Sequence, residues 1–279
     1  MELSQVRIVV DSSADLHSLE GVDLQTAALK IITDNKEYTD DLSLDVEGMV
    51  NDLAEYSGRS STSCPNAEDW ITSFGDATYV YCITITATLS GSYNAALIAK
   101  DIYEEKYPER RVFVLNSLTT GPEMVLAAEK IRDLVNEGYD FDEVCDGVKQ
   151  YTEKTGLLFV LSSMKNLANN GRVSPLVAKM AGLLGIRVVG KASDKGDLET
   201  LNKCRGERNA LSTVVEHLKS MGLQNGRVRI THCLNPQAAE NLAAQIKTAT
   251  NATVEISTCG GLCSFYAEKG GLLIGFEKF

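Results

Sequence analysis

Short runs of β-branched and aromatic residues alternate with helical stretches along nearly the whole chain. Three such runs, Val6–Val10, Tyr79–Thr86 and Val112–Leu115, are each followed by a helix signal. Strands that alternate with helices in this way typically form a parallel sheet covered by helices. The pattern therefore predicts an α/β fold that begins with a Rossmann-like parallel sheet.

The pattern restarts after Gly156 with the apolar run Leu157–Leu161. Further along, Ile186–Ala192 and Leu198–Lys203 flank Asp194–Asp197, which is typical of a hairpin turn. Two strands joined by so short a turn must be antiparallel. We therefore expect the second half to form an α/β domain with a mixed sheet.

The length of 279 residues also favours two domains, at about 150 residues each. We place the boundary near residue 155, which gives domains 1–155 and 156–279. Residues 1–150 carry 11 Lys and Arg against 28 Asp and Glu, a net charge of −17, whereas residues 151–279 carry 16 against 10, a net charge of +6. A basic half that faces a cleft would attract an anionic ligand. Solvated surface acids explain the same asymmetry equally well.

Composition excludes several classes of protein. The net charge of −11 argues against nucleic-acid binding through bulk charge, and no apolar run approaches the length of a membrane span. Seven cysteines include no Cys-x-x-Cys pair, and three scattered histidines do not complete a zinc site. We expect reduced thiols, no metal, no cofactor, no stable membrane insertion and a cytoplasmic location.

Two hydroxyl-rich segments could hold an anion. The segment Ser61–Pro65 precedes Asn66-x-x-Asp69, a capping-box pattern, so we expect its hydroxyls beside a helix start. The segment Thr88–Ser92 follows a buried strand and precedes a helix, at the edge of the sheet where α/β folds bind ligands. Ordinary helix capping is the alternative for both segments.

A recognisable catalytic motif is missing. The residues around Ser90 do not form Gly-x-Ser-x-Gly, and neither phosphate-loop nor dinucleotide glycine motifs occur. Asp11, at a strand end, is interpreted as a cap and not as an aspartyl-phosphate site. A Ser90-dependent acyl hydrolase or acyltransferase remains the alternative function, and it requires a histidine beside Ser90. A binding protein without enzymatic activity is favoured.

Five motifs in order resemble the DegV family of bacterial fatty-acid-binding proteins over essentially the whole length. They are Val9–Leu16, Ser61–Pro65, Leu89–Ala96, Leu167–Ser174 and Lys203–Gly206. The resemblance implies that a long-chain fatty acid is the ligand and that a separate fatty-acid kinase is a partner. The kinase would convert the bound acid to an acyl phosphate for lipid metabolism.

The resemblance also implies a head-group site. Thr62 and Ser90 correspond to the family residues that bind the fatty-acid carboxylate, and Ser63, Gly91 and Ser92 belong to the same motifs. Arg172 and Arg205 match family arginines near the carboxyl end or the kinase-facing surface; solvated surface arginines are the alternative.

The chain departs from the family pattern in two places. Asn116-Ser117 stands where the family usually has an aspartate. The family's His-x-Gly-Pro-Gly segment, whose histidine helps hold the carboxyl group, has no histidine counterpart between Thr258 and Leu272. That role is therefore either absent or taken by another group.

Overall fold

The computed structural model describes residues 5–181 and 185–279. Its strands are β1 (Val6–Asp11), β2 (Asp23–Ala27), β3 (Lys30–Thr33), β4 (Glu37–Thr39), β5 (Ser60–Ser63), β6 (Tyr79–Thr84), β7 (Arg111–Asn116), β8 (Thr155–Leu161), β9 (Ile186–Ala192), β10 (Leu198–Arg205), β11 (Arg227–His232), β12 (Thr253–Thr258) and β13 (Leu272–Glu277). Its helices are α1 (Val46–Glu55), α2 (Ala67–Phe74), α3 (Ser92–Lys106), α4 (Pro122–Asn136), α5 (Phe141–Thr152), α6 (Lys165–Asn169), α7 (Pro175–Ala181), α8 (Glu207–Ser220), α9 (Pro236–Ala249) and α10 (Gly261–Ala267).

The predicted parallel sheet is confirmed. Four strands run in the order β2-β1-β6-β7, and every neighbouring pair is parallel. Side chains of β1 alternate between the two faces: Ile8 and Val10 pack with α4 and α5, whereas Val9 packs with α2 and α3. Helices therefore cover both faces, as the apolar strand runs indicate.

The second sheet has six strands in the order β10-β9-β8-β13-β11-β12 and is mixed, as expected. The predicted hairpin is confirmed, since β9 and β10 pair antiparallel around Asp194–Asp197. Strand β13, which the sequence pattern did not predict, lies between β8 and β11. Helices α8 and α9 pack on one face of this sheet.

A third sheet corrects one prediction. The sequence of Val22–Ile31 predicts one strand region, but the structure divides it into β2 in the parallel sheet and β3 in a small antiparallel sheet, β4-β3-β5. The division falls at Leu29, whose N–H donates to Ser12 Oγ (3.0 Å) and whose carbonyl accepts from Asp40 N–H (2.9 Å).

The small sheet and α1 pack with α10 and with the inner face of β8 in one apolar cluster. The sequence also predicts a helix at Leu176–Leu184; the structure has α7 in this region, and residues 182–184 lie outside the described residues. No helix within the described ranges is long and apolar enough to cross a membrane.

Candidate functional site

A narrow cavity is bounded by residues from both halves of the chain, and the space between its walls, including the part open to solvent, is about 650 Å³. Its walls are mainly aliphatic, with polar groups from a few side chains. The first half contributes Leu29, Thr62, Ile85, Leu89, Ser90 and Thr120; the second contributes Leu157, Phe159, Leu161, Leu167, Arg172, Leu198, Leu262, Cys263, Tyr266, Ala267 and Leu273. Such a cavity suits a ligand that is mostly apolar and carries a small polar group.

Thr62 does not lie at a helix start, contrary to the sequence-based expectation. It lies within β5, opposite Ile31 of β3, and the following helix α2 is capped by Asn66, whose side chain accepts from Glu68 N–H and Asp69 N–H. The capping box itself is confirmed, because the Asp69 carboxylate in turn accepts a hydrogen bond from Asn66 N–H. The three residues between Thr62 and Asn66 separate the Thr62 hydroxyl from the helix.

Ser90 lies in the loop between β6 and α3, as expected. Its Oγ accepts from Ser92 N–H (3.2 Å), a bond that leaves the hydroxyl hydrogen available to a ligand. The backbone at Gly91 approaches the Thr62 segment closely, since a Cβ added there would lie 3.2 Å from Cys64 Sγ. The two hydroxyl-rich segments are therefore neighbours.

Tyr266 is a site residue that the sequence analysis did not identify. It lies on α10, and its hydroxyl oxygen is 2.8 Å from Thr62 Oγ1, with either group able to donate. Two hydroxyls that share one hydrogen bond keep one O–H between them for a further acceptor. The pair can therefore donate to a ligand oxygen without losing its own contact.

The Tyr266 phenol is a neutral donor. Burial raises its pKa, while the Thr62 hydrogen bond and the positive charge of Arg172 act in the opposite direction. The guanidinium of Arg172 lies 5.8 Å from the centre of the Tyr266 ring. A protonated phenol beside a positive charge favours the binding of an anionic ligand oxygen.

Arg172 is the one charged side chain among the described residues that line the cavity. Its Nε donates to Leu89 O (3.1 Å) and its Nη1 to Asn170 O (2.5 Å), so the guanidinium is fixed beside the residue that precedes Ser90. Within the described residues, no carboxylate forms an ion pair with it. The guanidinium thus retains donors and an uncompensated positive charge for a ligand.

The carboxylate of Asp11 holds the loop that carries Ser90 through hydrogen bonds. Its fully buried carboxylate accepts from Ser92 Oγ (2.6 Å) and Ile85 N–H (2.9 Å) through Oδ2, and from Ser13 Oγ (2.5 Å) through Oδ1. Burial raises the pKa of Asp11, and these three donors oppose that shift. The carboxylate therefore fixes both ends of the turn that carries Ser90.

Two further carboxylates hold the first turn of α10. Asp15 Oδ1 accepts from Gly260 N–H (2.8 Å), and Asp40 accepts from Gly261 N–H (2.6 Å) and Leu262 N–H (2.9 Å). Burial raises the pKa of both acids. Because α10 carries Tyr266, these contacts from the first half of the chain position the phenol at the cavity.

Four predicted site residues lie outside the cavity wall. Ser63 is next to Thr62 on β5, where successive side chains point to opposite faces, and Gly91 is the residue before α3. The Ser92 hydroxyl is buried and donates to Asp11. Arg205 is exposed at the end of β10. Of the predicted residues, Thr62, Ser90 and Arg172 line the cavity.

The cavity wall contains no histidine among the described residues. His217 contacts Asn202 Oδ1 through Nε2, and His232 Nδ1 accepts from Asn235 N–H. No group of three or more His, Cys, Asp or Glu side chains in the described ranges could hold a metal ion. The site can thus bind an anion through hydroxyls and a guanidinium.

Comparison with known proteins identifies the class to which this site belongs. The model of the DegV family, described as a family of uncharacterised proteins, matches residues 5–278. A DegV domain-containing protein of Streptococcus pneumoniae is 39% identical over 97% of this chain and 98% of its own length. The chain belongs to the DegV family.

Solved structures show the same fold. A DegV family protein from Eubacterium eligens, loaded with heptadecanoic acid, is 40% identical with a TM-score of 0.97 and covers 98% of this chain and 100% of its own. The Streptococcus pneumoniae Fatty Acid Kinase (Fak) B3 protein, loaded with linoleic acid, is 38% identical with a TM-score of 0.96 and covers 99% and 100%.

Proposed function

We propose that this protein binds a long-chain fatty acid non-covalently, with the alkyl chain in the cavity and the carboxylate on Thr62, Ser90, Tyr266 and Arg172. The observation that carries the proposal is the Thr62–Tyr266 hydroxyl pair beside a guanidinium that has no carboxylate partner among the described residues, in a mainly apolar cavity. Two relatives at 38–40% identity hold fatty acids, which supports it.

Useful affinity requires favourable contacts with both the alkyl chain and the carboxylate of the ligand. Burial of about 15 methylenes yields roughly 12 kcal/mol at about 0.8 kcal/mol each. Association and ordering oppose binding by about 4–15 kcal/mol. A carboxylate that enters the cavity without donors costs several kcal/mol, so its hydrogen bonds decide whether binding is useful.

The bound carboxylate would then be presented to a separate fatty-acid kinase, which forms the acyl phosphate. One relative of similar structure is the Streptococcus pneumoniae Fatty Acid Kinase (Fak) B3 protein. Its name links it to a fatty-acid kinase, which supports this step. Arg172 and Arg205 would contact the head group or the kinase. An ATP-consuming partner would place both proteins in the cytoplasm.

A Ser90-dependent acyl hydrolase is less well supported. Such chemistry needs a base within hydrogen-bond reach of the Ser90 hydroxyl. The cavity wall holds no histidine among the described residues, and Ser90 Oγ accepts from a backbone N–H. We therefore propose a carrier that performs no chemistry on its ligand.

The test is mass spectrometry of the purified protein, followed by fatty-acid binding and melting of Thr62→Ala and Ser90→Ala. Each variant should lose roughly 10- to 150-fold in affinity, the value of about 1.5–3 kcal/mol for a charged hydrogen bond. Ser63→Ala, which alters the neighbouring hydroxyl outside the cavity, is the control. A co-purifying fatty acid and a selective loss in the first two variants support the proposal. A melting temperature that falls while fatty-acid affinity stays within about twofold would contradict the assignment of Thr62 and Ser90 to the head-group site.

A further inference from the structure

The inner face of strand β8 forms one wall of the cavity. Leu157, Phe159 and Leu161 line it, while Leu158 and Val160 point to the opposite face, into the core under α8 and α9. Side chains two positions apart on a strand are separated by about 7 Å. Phe159 is therefore the middle residue of a row that an extended ligand would follow.

Phe159 lies opposite Gly190 of β9, and on its other side opposite Leu273 of β13. A Cβ added to Gly190 would overlap the Cζ and Cε2 atoms of the Phe159 ring. The edge of the ring thus lies directly on the backbone of Gly190. In this position the ring lies along the sheet instead of projecting across the cavity.

We propose that Phe159, lying on Gly190, determines which acyl-chain lengths the cavity accepts; this inference rests on the proposed fatty-acid function. Any side chain at position 190 must move the ring off β9. The space on the β13 side is occupied by Leu273, which itself lines the cavity. The ring can then move only into the volume that the alkyl chain needs. The absence of a side chain at Gly190 therefore keeps the cavity open beside Phe159, the middle residue of the row.

The same sheet offers a matched control on its other face. Phe276 of β13 lies opposite Gly156 of β8, and a Cβ added to Gly156 would lie 2.8 Å from Phe276 Cζ. Phe276 belongs to the helix-covered core and does not line the cavity. Gly156→Ala therefore crowds an aromatic ring in the same way without narrowing the cavity.

The experiment measures Kd for dodecanoic and octadecanoic acid with the parent, Gly190→Ala, Gly156→Ala and the double variant Gly190→Ala/Phe159→Leu. Each methylene that loses its place costs about fourfold in affinity. In Gly190→Ala, octadecanoic acid should bind at least about tenfold more weakly, while dodecanoic acid changes less than about threefold. The double variant should recover the parent's ratio of the two Kd values, because leucine is shorter than the ring. Gly156→Ala should keep that ratio.

Gly190 also lies close to the Glu199 carbonyl, so alanine there can prevent folding. Phe159→Trp enlarges the side chain above an unchanged Gly190 and should lower the relative affinity for octadecanoic acid in the same direction. An unchanged ratio in folded Gly190→Ala or in Phe159→Trp overturns the proposal about Phe159 alone. A parent protein that binds neither acid overturns the fatty-acid function, and this inference with it.

Discussion

Thr62 and Tyr266 are 204 positions apart in the sequence, and their hydroxyl oxygens lie 2.8 Å apart at the cavity wall. One belongs to the small antiparallel sheet and the other to the short helix α10. Their contact couples the two halves of the chain at the point where a carboxylate would bind. The Arg172 guanidinium beside Tyr266 adds the positive charge that the two hydroxyls lack.

The first prediction concerns the phenol. Tyr266→Phe keeps the ring in the cavity wall and removes only the hydroxyl, so fatty-acid affinity should fall about 10-fold or more, by loss of a hydrogen bond to a charged group. Isothermal titration with one fatty acid measures this loss. Tyr139→Phe, at an exposed position 42% accessible, is the control. Equal affinity of Tyr266→Phe and the parent would remove the phenol from the head-group site.

The parallel sheet and the β9–β10 hairpin could be predicted from the sequence, because local periodicity and turn chemistry determine both. The family motifs also led to Thr62, Ser90 and Arg172, which line the cavity, and their contact with a ligand stays a prediction. The expected helix start at Thr62 was wrong, since Ser60–Ser63 instead completes a sheet with β3, a pairing between distant segments. Tyr266 could not be found, because its partner is in the other half of the chain. The one signal in the sequence was the missing family histidine, whose role is either absent or taken by another group.

The second prediction separates binding from kinase function. Arg172→Ala removes one charged partner of the carboxylate, so fatty-acid affinity should fall about 10-fold or more, but the acid should still co-purify because burial of the alkyl chain supplies most of the binding free energy. The kinase reaction is therefore compared at saturating fatty acid. Acyl-phosphate formation with purified fatty-acid kinase and ATP should fall at least about tenfold, since the developing phosphate carries more charge than the carboxylate. Lys247→Ala, an exposed cation on α9, is the control. Equal turnover by the Arg172 variant and the parent would exclude Arg172 from the reaction.

The third prediction concerns the anchor of the Ser90 loop. Asp11→Ala leaves the buried Ile85 N–H without its acceptor and releases Ser92 Oγ, so unfolding should become easier by roughly 2–4 kcal/mol. Fatty-acid affinity of the folded fraction should also fall, because the turn that carries Ser90 is no longer fixed. Denaturant titration and ligand binding measure the two effects. Asp101→Ala, an exposed acid on α3, should change neither. Wild-type affinity in Asp11→Ala would show that the turn is held by other contacts.

The fourth prediction is a pH dependence that arises from the acids at α10. Burial and the nearby charge of Asp40 raise the pKa of Asp15 well above 3.8, while hydrogen bonds from Gly260 N–H and the Cys263 thiol oppose this shift. An acid whose pKa is higher in the folded than in the unfolded protein destabilises the fold once it ionises in the unfolded chain. This penalty grows as the pH rises from about 3.8 toward the raised folded value, and it is absent below that range.

Asp15→Asn removes the charge, keeps an oxygen for Gly260 N–H, and suits the left-handed backbone at φ 55°. The melting temperature should therefore rise by a few degrees at pH 7–8, and the gain should shrink as the pH is lowered toward 4. Asp40→Asn is the contrasting variant: both Asp40 oxygens accept backbone N–H groups, and an amide can replace only one, so it should lower the melting temperature by about 2–4 °C or more near pH 4. Because burial also raises the pKa of Asp40, this loss should become smaller as the pH rises. Melting curves of the three proteins between pH 4 and 8 decide the matter. A gain in Asp15→Asn that does not vary with pH would mean that Asp15 ionises normally in the folded protein.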